Sequence, residues 1–169
     1  MALTETPKID FGQPCPDFTL PDATGTRFAR DDLAGPGGLV VAFICNHCPY
    51  VIRQIDGLAA DLAALAGAGV GACCIMPNDW TAYPADAPDR MGAFAAAHGL
   101  TVPYLVDETQ AVARAMGAVC TPDLFGYGPD LTLRYRGRPA ELRAAMEAVT
   151  RGADVPDQVP GMGCSIKWR

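Results

Sequence analysis

A chain of 169 residues, half of them hydrophobic and 19% charged, is long enough to bury one core without metal or disulfide staples. A net charge of −6, with 13 Lys and Arg scattered rather than massed, excludes a basic footprint for nucleic acid or an anionic membrane. No apolar run is long enough to span a bilayer, and the opening MALTETPKID lacks the basic-then-apolar pattern of a secretory signal. Seven cysteines without regular spacing make a poor disulfide framework. They fit a reducing compartment, expected to be the cytoplasm, in which a few thiols have special roles.

In chain order, DFTL and TRFA flank the turn PDATG, which predicts a hairpin in Phe11–Leu33 with Gly25 supplying a positive φ. Leu39–Ile44 is a continuous apolar run, the pattern of a strand covered on both faces. Beyond Cys48, the apolar residues Val51, Ile55, Leu58, Leu62 and Leu65 alternate steps of four and three. That spacing predicts one helix of about four turns, stopped by Gly67 and Gly69. Val70–Met76 reads as a second buried strand, and the polar loop PNDWTAYPADAPD leads to a helix carrying Met91 and Phe94. A short strand at Tyr104–Val106, a short helix at Thr109–Met116, a hairpin around GPD and a last helix from Pro139 complete the body. The division expected is a domain over 1–152 and a Pro- and Gly-rich tail over 153–169.

This order predicts an α/β fold, a mixed central sheet with helices on both faces. The C-terminal ends of its parallel strands gather at one edge, where ligand and reaction sites collect. Three segments should meet there: Cys45 after the first strand, NDWTAY after the second, and CTPD entering an antiparallel strand.

The chemistry-bearing stretch is FICNHCPYV. A thiol attacks only as thiolate, and an ordinary cysteine is about 3% ionised at pH 7. A helix N-terminus stabilises an anion, so Cys45 at such a cap gains thiolate character. Cys48, nearly a turn further on, can close a small-ring disulfide with it, and His47 can add charge or a hydrogen bond. A stabilised thiolate makes such a disulfide oxidising. Half of a structural zinc site is the other meaning of C-x-x-C, but a second ligand pair of matching spacing is missing.

GQPCPDFTLPDATG, FICNHCPYV, NDWTAYPADAPDRM, PYLVDETQAVARAMGAVCTPDLF and the terminal GCSIKW resemble the thioredoxin-like superfamily. Within it, the resemblance is to a peroxiredoxin-like subgroup of the alkyl hydroperoxide reductase/thiol-specific antioxidant (AhpC/TSA) branch, and it runs from about Phe11 to Trp168. It implies a thioredoxin fold, three layers α/β/α, with an added N-terminal β-hairpin. Cys45 would be the attacking thiol, Cys48 its partner, and Pro122 the cis-proline facing the pair. The sequence departs from peroxiredoxins at Gly38 and Ala42, where that family holds a proline and a threonine ahead of its cysteine. Thioredoxins carry a buried acid where this chain has Leu39, which leaves His47 as the candidate base.

Cys120, beside Thr121, is either an accessory thiol, a third soft-metal ligand or a packed core residue. Cys164 either folds back from the tail, or crosses to a second subunit of a homodimer, as a resolving thiol, or is buried in a docked strand. Cys73 and Cys74 are neighbours in a strand, point to opposite faces and are expected to stay free; Cys15 reads as structural. Trp80 and Tyr83 either floor a substrate site or staple their loop to the core.

The expected activity is thiol–disulfide exchange between Cys45–Cys48 and a disulfide-bearing protein or small molecule. A thiol reductant such as thioredoxin or glutathione serves as partner, with no cofactor. The alternatives are a Cys45 peroxidase resolved by Cys48 or Cys164, and a soft-metal binder using Cys45, Cys48 and Cys120.

Overall fold

The computed structural model describes residues 2–7, 11–155 and 157–169. Its elements are β1 (Leu3–Glu5), β2 (Thr19–Pro21), β3 (Arg27–Ala29), α1 (Arg30–Leu33), β4 (Gly38–Phe43), α2 (Pro49–Ile52), α3 (Ile55–Gly67) and β5 (Val70–Met76). There follow α4 (Pro88–Ala97), β6 (Tyr104–Val106), α5 (Ala111–Met116), β7 (Cys120–Thr121), β8 (Asp123–Tyr127), β9 (Leu133–Tyr135), α6 (Pro139–Thr150) and β10 (Met162–Ser165). No helix among the described residues is long and apolar enough to cross a membrane.

The central sheet has the order β6-β5-β4-β8-β9. β4 runs parallel to β5 and β5 to β6, while β8 is antiparallel to both β4 and β9. Side-chain alternation divides the apolar run of β4 between two cores. Val40 and Ala42 join α3, α4 and α6 on one face, and Leu39, Val41 and Phe43 join α5 and the β2–β3 hairpin on the other. Two covered faces explain why the strand is apolar throughout. Cys74 and Cys73 fall to the same two faces in turn, both fully buried, as the strand alternation requires.

The predicted hairpin forms with Gly25 at φ +89°. Asp22 holds the turn through its carboxylate, which accepts hydrogen bonds from Thr24 and Thr26. The helix expected as one piece after Cys48 is interrupted at residues 53–54. The Gln54 side-chain amide donates to the Tyr50 carbonyl at 2.9 Å, and the Gln54 N–H turns to Val51 instead. A side chain thus takes the acceptor that an unbroken helix would give to the backbone. All five apolar positions of the predicted stripe remain buried.

The C-terminal segment is no loose tail. β10 pairs with β1 on one side and β7 on the other, and Cys164 and Ile166 are buried. Gly163 permits this docking, because a Cβ there would lie 2.2 Å from the Thr121 carbonyl oxygen. Past the strand, Lys167 donates its N–H to Asn78, and its carbonyl accepts from Asp79 and Gln110. The segment is a strap laid over the loop that leaves β5.

Candidate active site

β4 ends at Phe43, and the chain turns through residues 44–48 before Pro49 opens α2. Proline suits the first helical position, where its missing N–H costs nothing, and it keeps the preceding residue extended. The N-cap residue is therefore Cys48, at φ −72° and ψ 122°. The expectation that Cys45 occupies the helix cap is corrected here. The amide-rich end of α2 serves Cys48, and Cys45 lies in the turn ahead of it.

The expected convergence at the sheet edge is present. Thr121–Pro122 is a cis peptide bond, and the Thr121 hydroxyl lies 3.3 Å from Cys45 Sγ. The Thr121 carbonyl oxygen lies 3.1 Å from Cys48 Sγ. Both cysteines are covered, Cys45 at 1% and Cys48 at 0% exposure. Cys164 stands opposite Thr121 in the β7–β10 ladder and in the same buried cluster as Cys48.

Cys45 and Cys48 share one proton. A hydrogen bond to Cys48, burial and the nearby Asp86 carboxylate together raise the Cys45 thiol well above the ordinary range. Cys48 is lowered to about 4, first by the hydrogen bond from Cys45, then against its burial by donors from Cys164 and the Val51 N–H. A protonated Cys48 could donate to the Thr121 carbonyl. Of the two thiols, Cys48 is the one shifted toward ionisation and Cys45 the one held protonated.

Asp86 is the residue that sequence reasoning missed. It is fully buried, and three donors converge on its carboxylate: the Asn46 N–H at 2.8 Å, Asn78 Nδ2 at 2.8 Å and His47 Nδ1 at 2.7 Å. A carboxylate only accepts, so His47 carries its proton on Nδ1 and keeps Nε2 free to take another. Cys45 Sγ, a His47 ring nitrogen and an Asp86 oxygen all lie within 4.8 Å of one another. This sulfur, nitrogen and oxygen set could face a metal ion, but both oxygens of Asp86 are already engaged by donors. The group holds the parts of a cysteine–histidine–aspartate relay, with the His47–Asp86 hydrogen bond formed and Cys45 Sγ hydrogen-bonded to the Thr121 hydroxyl. Asp86 supplies the buried acid that Leu39 does not, from a different part of the chain.

The remaining candidates divide. His47 stacks on Tyr83 with ring centroids 5.8 Å apart, and Tyr83 is 40% exposed, so these two form the open rim beside Cys45. Trp80 is half-buried against the core cluster that holds Cys45 and Cys48, and its indole N–H is buried without a partner among the described residues. Cys120 faces the Pro122 carbonyl at 3.5 Å, and burial raises its pKa. No grouping of Cys45, Cys48 and Cys120 within 4.8 Å occurs among the described residues, so the three-cysteine metal site is not assembled. Cys15 is buried, with a thiol pushed up to about 11 by that burial. Arg136, fully enclosed, pairs with Asp123 through two nitrogens at 3.0 and 2.7 Å and anchors the start of β8 behind Pro122.

Four similarities to known proteins bear on this arrangement. The AhpC/TSA family model matches residues 11–136. A Mycobacterium tuberculosis protein whose name proposes a peroxiredoxin is 29% identical over 124 residues, 73% of this chain and 74% of that one. A hypothetical protein of Sinorhizobium meliloti has a solved structure with TM-score 0.94 and 39% identity, covering 98% of both chains. The thioredoxin domain of a Bacteroides vulgatus thiol-disulfide oxidoreductase shares the fold, with TM-score 0.68 at 14% identity, over 85% of this chain and 99% of that one. With its thioredoxin-like sheet and its pair of cysteines at the sheet edge, the chain belongs to the AhpC/TSA family of peroxiredoxin-like thiol oxidoreductases.

Proposed function

We propose that the protein exchanges a Cys45–Cys48 disulfide with dithiol substrates and works chiefly as an oxidant. The observation that carries this reading is the buried Cys45–Cys48 pair set against the cis Thr121–Pro122 bond. The Cys48 thiol at the head of α2 is lowered first by its hydrogen bond with Cys45. Stabilising a thiolate stabilises the reduced pair, which makes the disulfide oxidising. It also makes Cys48 a good leaving group. A substrate thiolate attacks Cys45 Sγ, the S–S bond breaks and its electron pair leaves on Cys48. The second substrate thiol then attacks the mixed disulfide and displaces Cys45, whose proton comes from His47 held by Asp86. In the reverse direction Cys45 gives its proton to His47 and attacks a substrate disulfide. Each turnover leaves the pair reduced, and a small disulfide such as oxidised glutathione completes the cycle by taking those two electrons as it is cleaved to thiols.

A second reading has its own observation. Thr121 Oγ1 beside Cys45 Sγ at 3.3 Å stands where a hydroxyl could hold a peroxide, in place of the threonine absent at Ala42. Cys45 would then take one peroxide oxygen as sulfenic acid, releasing an alcohol or water, and Cys48 would condense with it to the disulfide and a second water. The reduced protein, mixed separately with oxidised glutathione and with hydrogen peroxide, decides between them. Faster loss of free thiol, counted over the whole chain, in oxidised glutathione is expected. A faster reaction with peroxide would make peroxide reduction the primary activity.

A further inference from the structure

Cys48 is crowded by more than its motif partner. Its sulfur lies 3.1 Å from the Thr121 carbonyl, and Thr121 is the residue paired with Cys164 across the β7–β10 ladder. Cys45, Cys48 and Cys164 belong to one buried cluster, and α2 packs against β10. The Cys48 thiol is perturbed by both Cys45 and Cys164, which sets the three sulfurs in one neighbourhood. A pair of thiols needs only two members, and the third has no part in the exchange derived above.

We propose that Cys164 is a second resolving thiol, which attacks the Cys48 sulfur of a Cys45–Cys48 disulfide and closes a Cys48–Cys164 disulfide between α2 and the C-terminal strand. The inference rests on the dithiol reading above. One S–S bond forms as another breaks, and the electron pair of the broken bond leaves on Cys45. The proton lost by Cys164 ends on Cys45, so no outside oxidant or reductant enters the step.

The surroundings of Cys164 give the step an order. In the reduced protein burial, and after it the negative Cys48 sulfur, raise the Cys164 thiol to about 11, while Lys167 pulls it down. Oxidation of Cys48 removes that negative charge, while the pull of Lys167 against burial remains. Cys164 therefore gains nucleophilicity when there is a disulfide for it to attack. The outcome is a three-thiol relay. Cys45 at the rim becomes free again, and the oxidising equivalent is held under the strap formed by residues 162–169.

The test is disulfide mapping after native oxidation with one equivalent of oxidised glutathione, followed by acid quenching, alkylation and mass spectrometry. Wild-type protein is expected to carry Cys48–Cys164 with Cys45 alkylated, and Cys164→Ser to carry Cys45–Cys48. A wild-type protein holding only Cys45–Cys48, as the variant does, overturns the relay and leaves the dithiol reading standing. Absence of any bridge at Cys48 in both proteins overturns the two together. Cys45→Ser supplies an independent check, since diamide is expected to join Cys48 directly to Cys164. Failure of that bridge in a variant with the wild-type melting temperature also overturns the proposal.

Discussion

Cys45→Ser is expected to leave no disulfide exchange above the buffer background, whereas Cys48→Ser is expected to react once and stop. The two sulfurs differ in place as well as in charge. Cys45, itself covered, follows the end of β4 next to the partly exposed His47–Tyr83 stack, the side from which a partner would reach it. Cys48 lies behind it, enclosed by the Thr121 carbonyl and Cys164. Removing Cys45 removes the entry point. Removing Cys48 leaves a mixed disulfide on Cys45 without the thiol that resolves it in the exchange derived above. Turnover of a fluorogenic glutathione disulfide, with intact-protein mass spectrometry of the products, separates the two. A stable adduct of one substrate on Cys48→Ser is the expected product, and sustained turnover by that variant would point to a one-cysteine mechanism.

Asp86→Asn is expected to slow exchange by about 100-fold at neutral pH, the scale of a lost general base. The aspartate fixes the His47 proton on Nδ1 by accepting it at 2.7 Å. An asparagine can turn its NH2 to the same ring nitrogen and make it an acceptor. The proton then moves to Nε2, and His47 can no longer take the Cys45 proton. Charge alone predicts the opposite sign. The Asp86 carboxylate raises the Cys45 thiol, so its removal would make Cys45 more acidic and more reactive if His47 took no part. The pH profile of Cys45 alkylation by iodoacetamide distinguishes the two, with a melting curve to show that the variant is folded. Slower alkylation around neutral pH supports the relay, and faster alkylation contradicts it.

The body of the fold was legible because its signals are local. Continuous apolar runs marked β4 and β5, and the stripe from Val51 to Leu65 marked the α2–α3 face. The interruption at residues 53–54 was not legible, since it depends on a side-chain amide choosing a backbone carbonyl. The cap was legible in principle. Pro49 at the first helical position makes Cys48 the cap residue, but attention to the strand end favoured Cys45. Asp86 gave no signal. PNDWTAYPADAPD holds three aspartates, and the buried one is selected by contacts with Asn46 and His47, some 40 residues earlier. The meeting of Cys164 with Cys48 is a contact of the same long-range kind. It depends on β10 pairing with β7, and on a glycine at 163 that lets the two strands approach. Cys120 shows the reverse case, a cysteine at the predicted edge whose sulfur faces the Pro122 carbonyl.

The central claim is that Cys45 and Cys48 form a reversible, oxidising disulfide. A redox titration in glutathione buffers, with acid quenching, alkylation and mass mapping at each potential, tests it most directly. One two-electron transition is expected that always includes Cys48, with Cys45 or Cys164 as its partner and with Cys45 alone as its partner in Cys164→Ser. Its midpoint should lie nearer to about −120 mV than to about −270 mV, because the reduced pair holds a stabilised thiolate. A folded protein in which Cys48 stays reduced across the whole range would contradict the account, as would a strongly reducing midpoint.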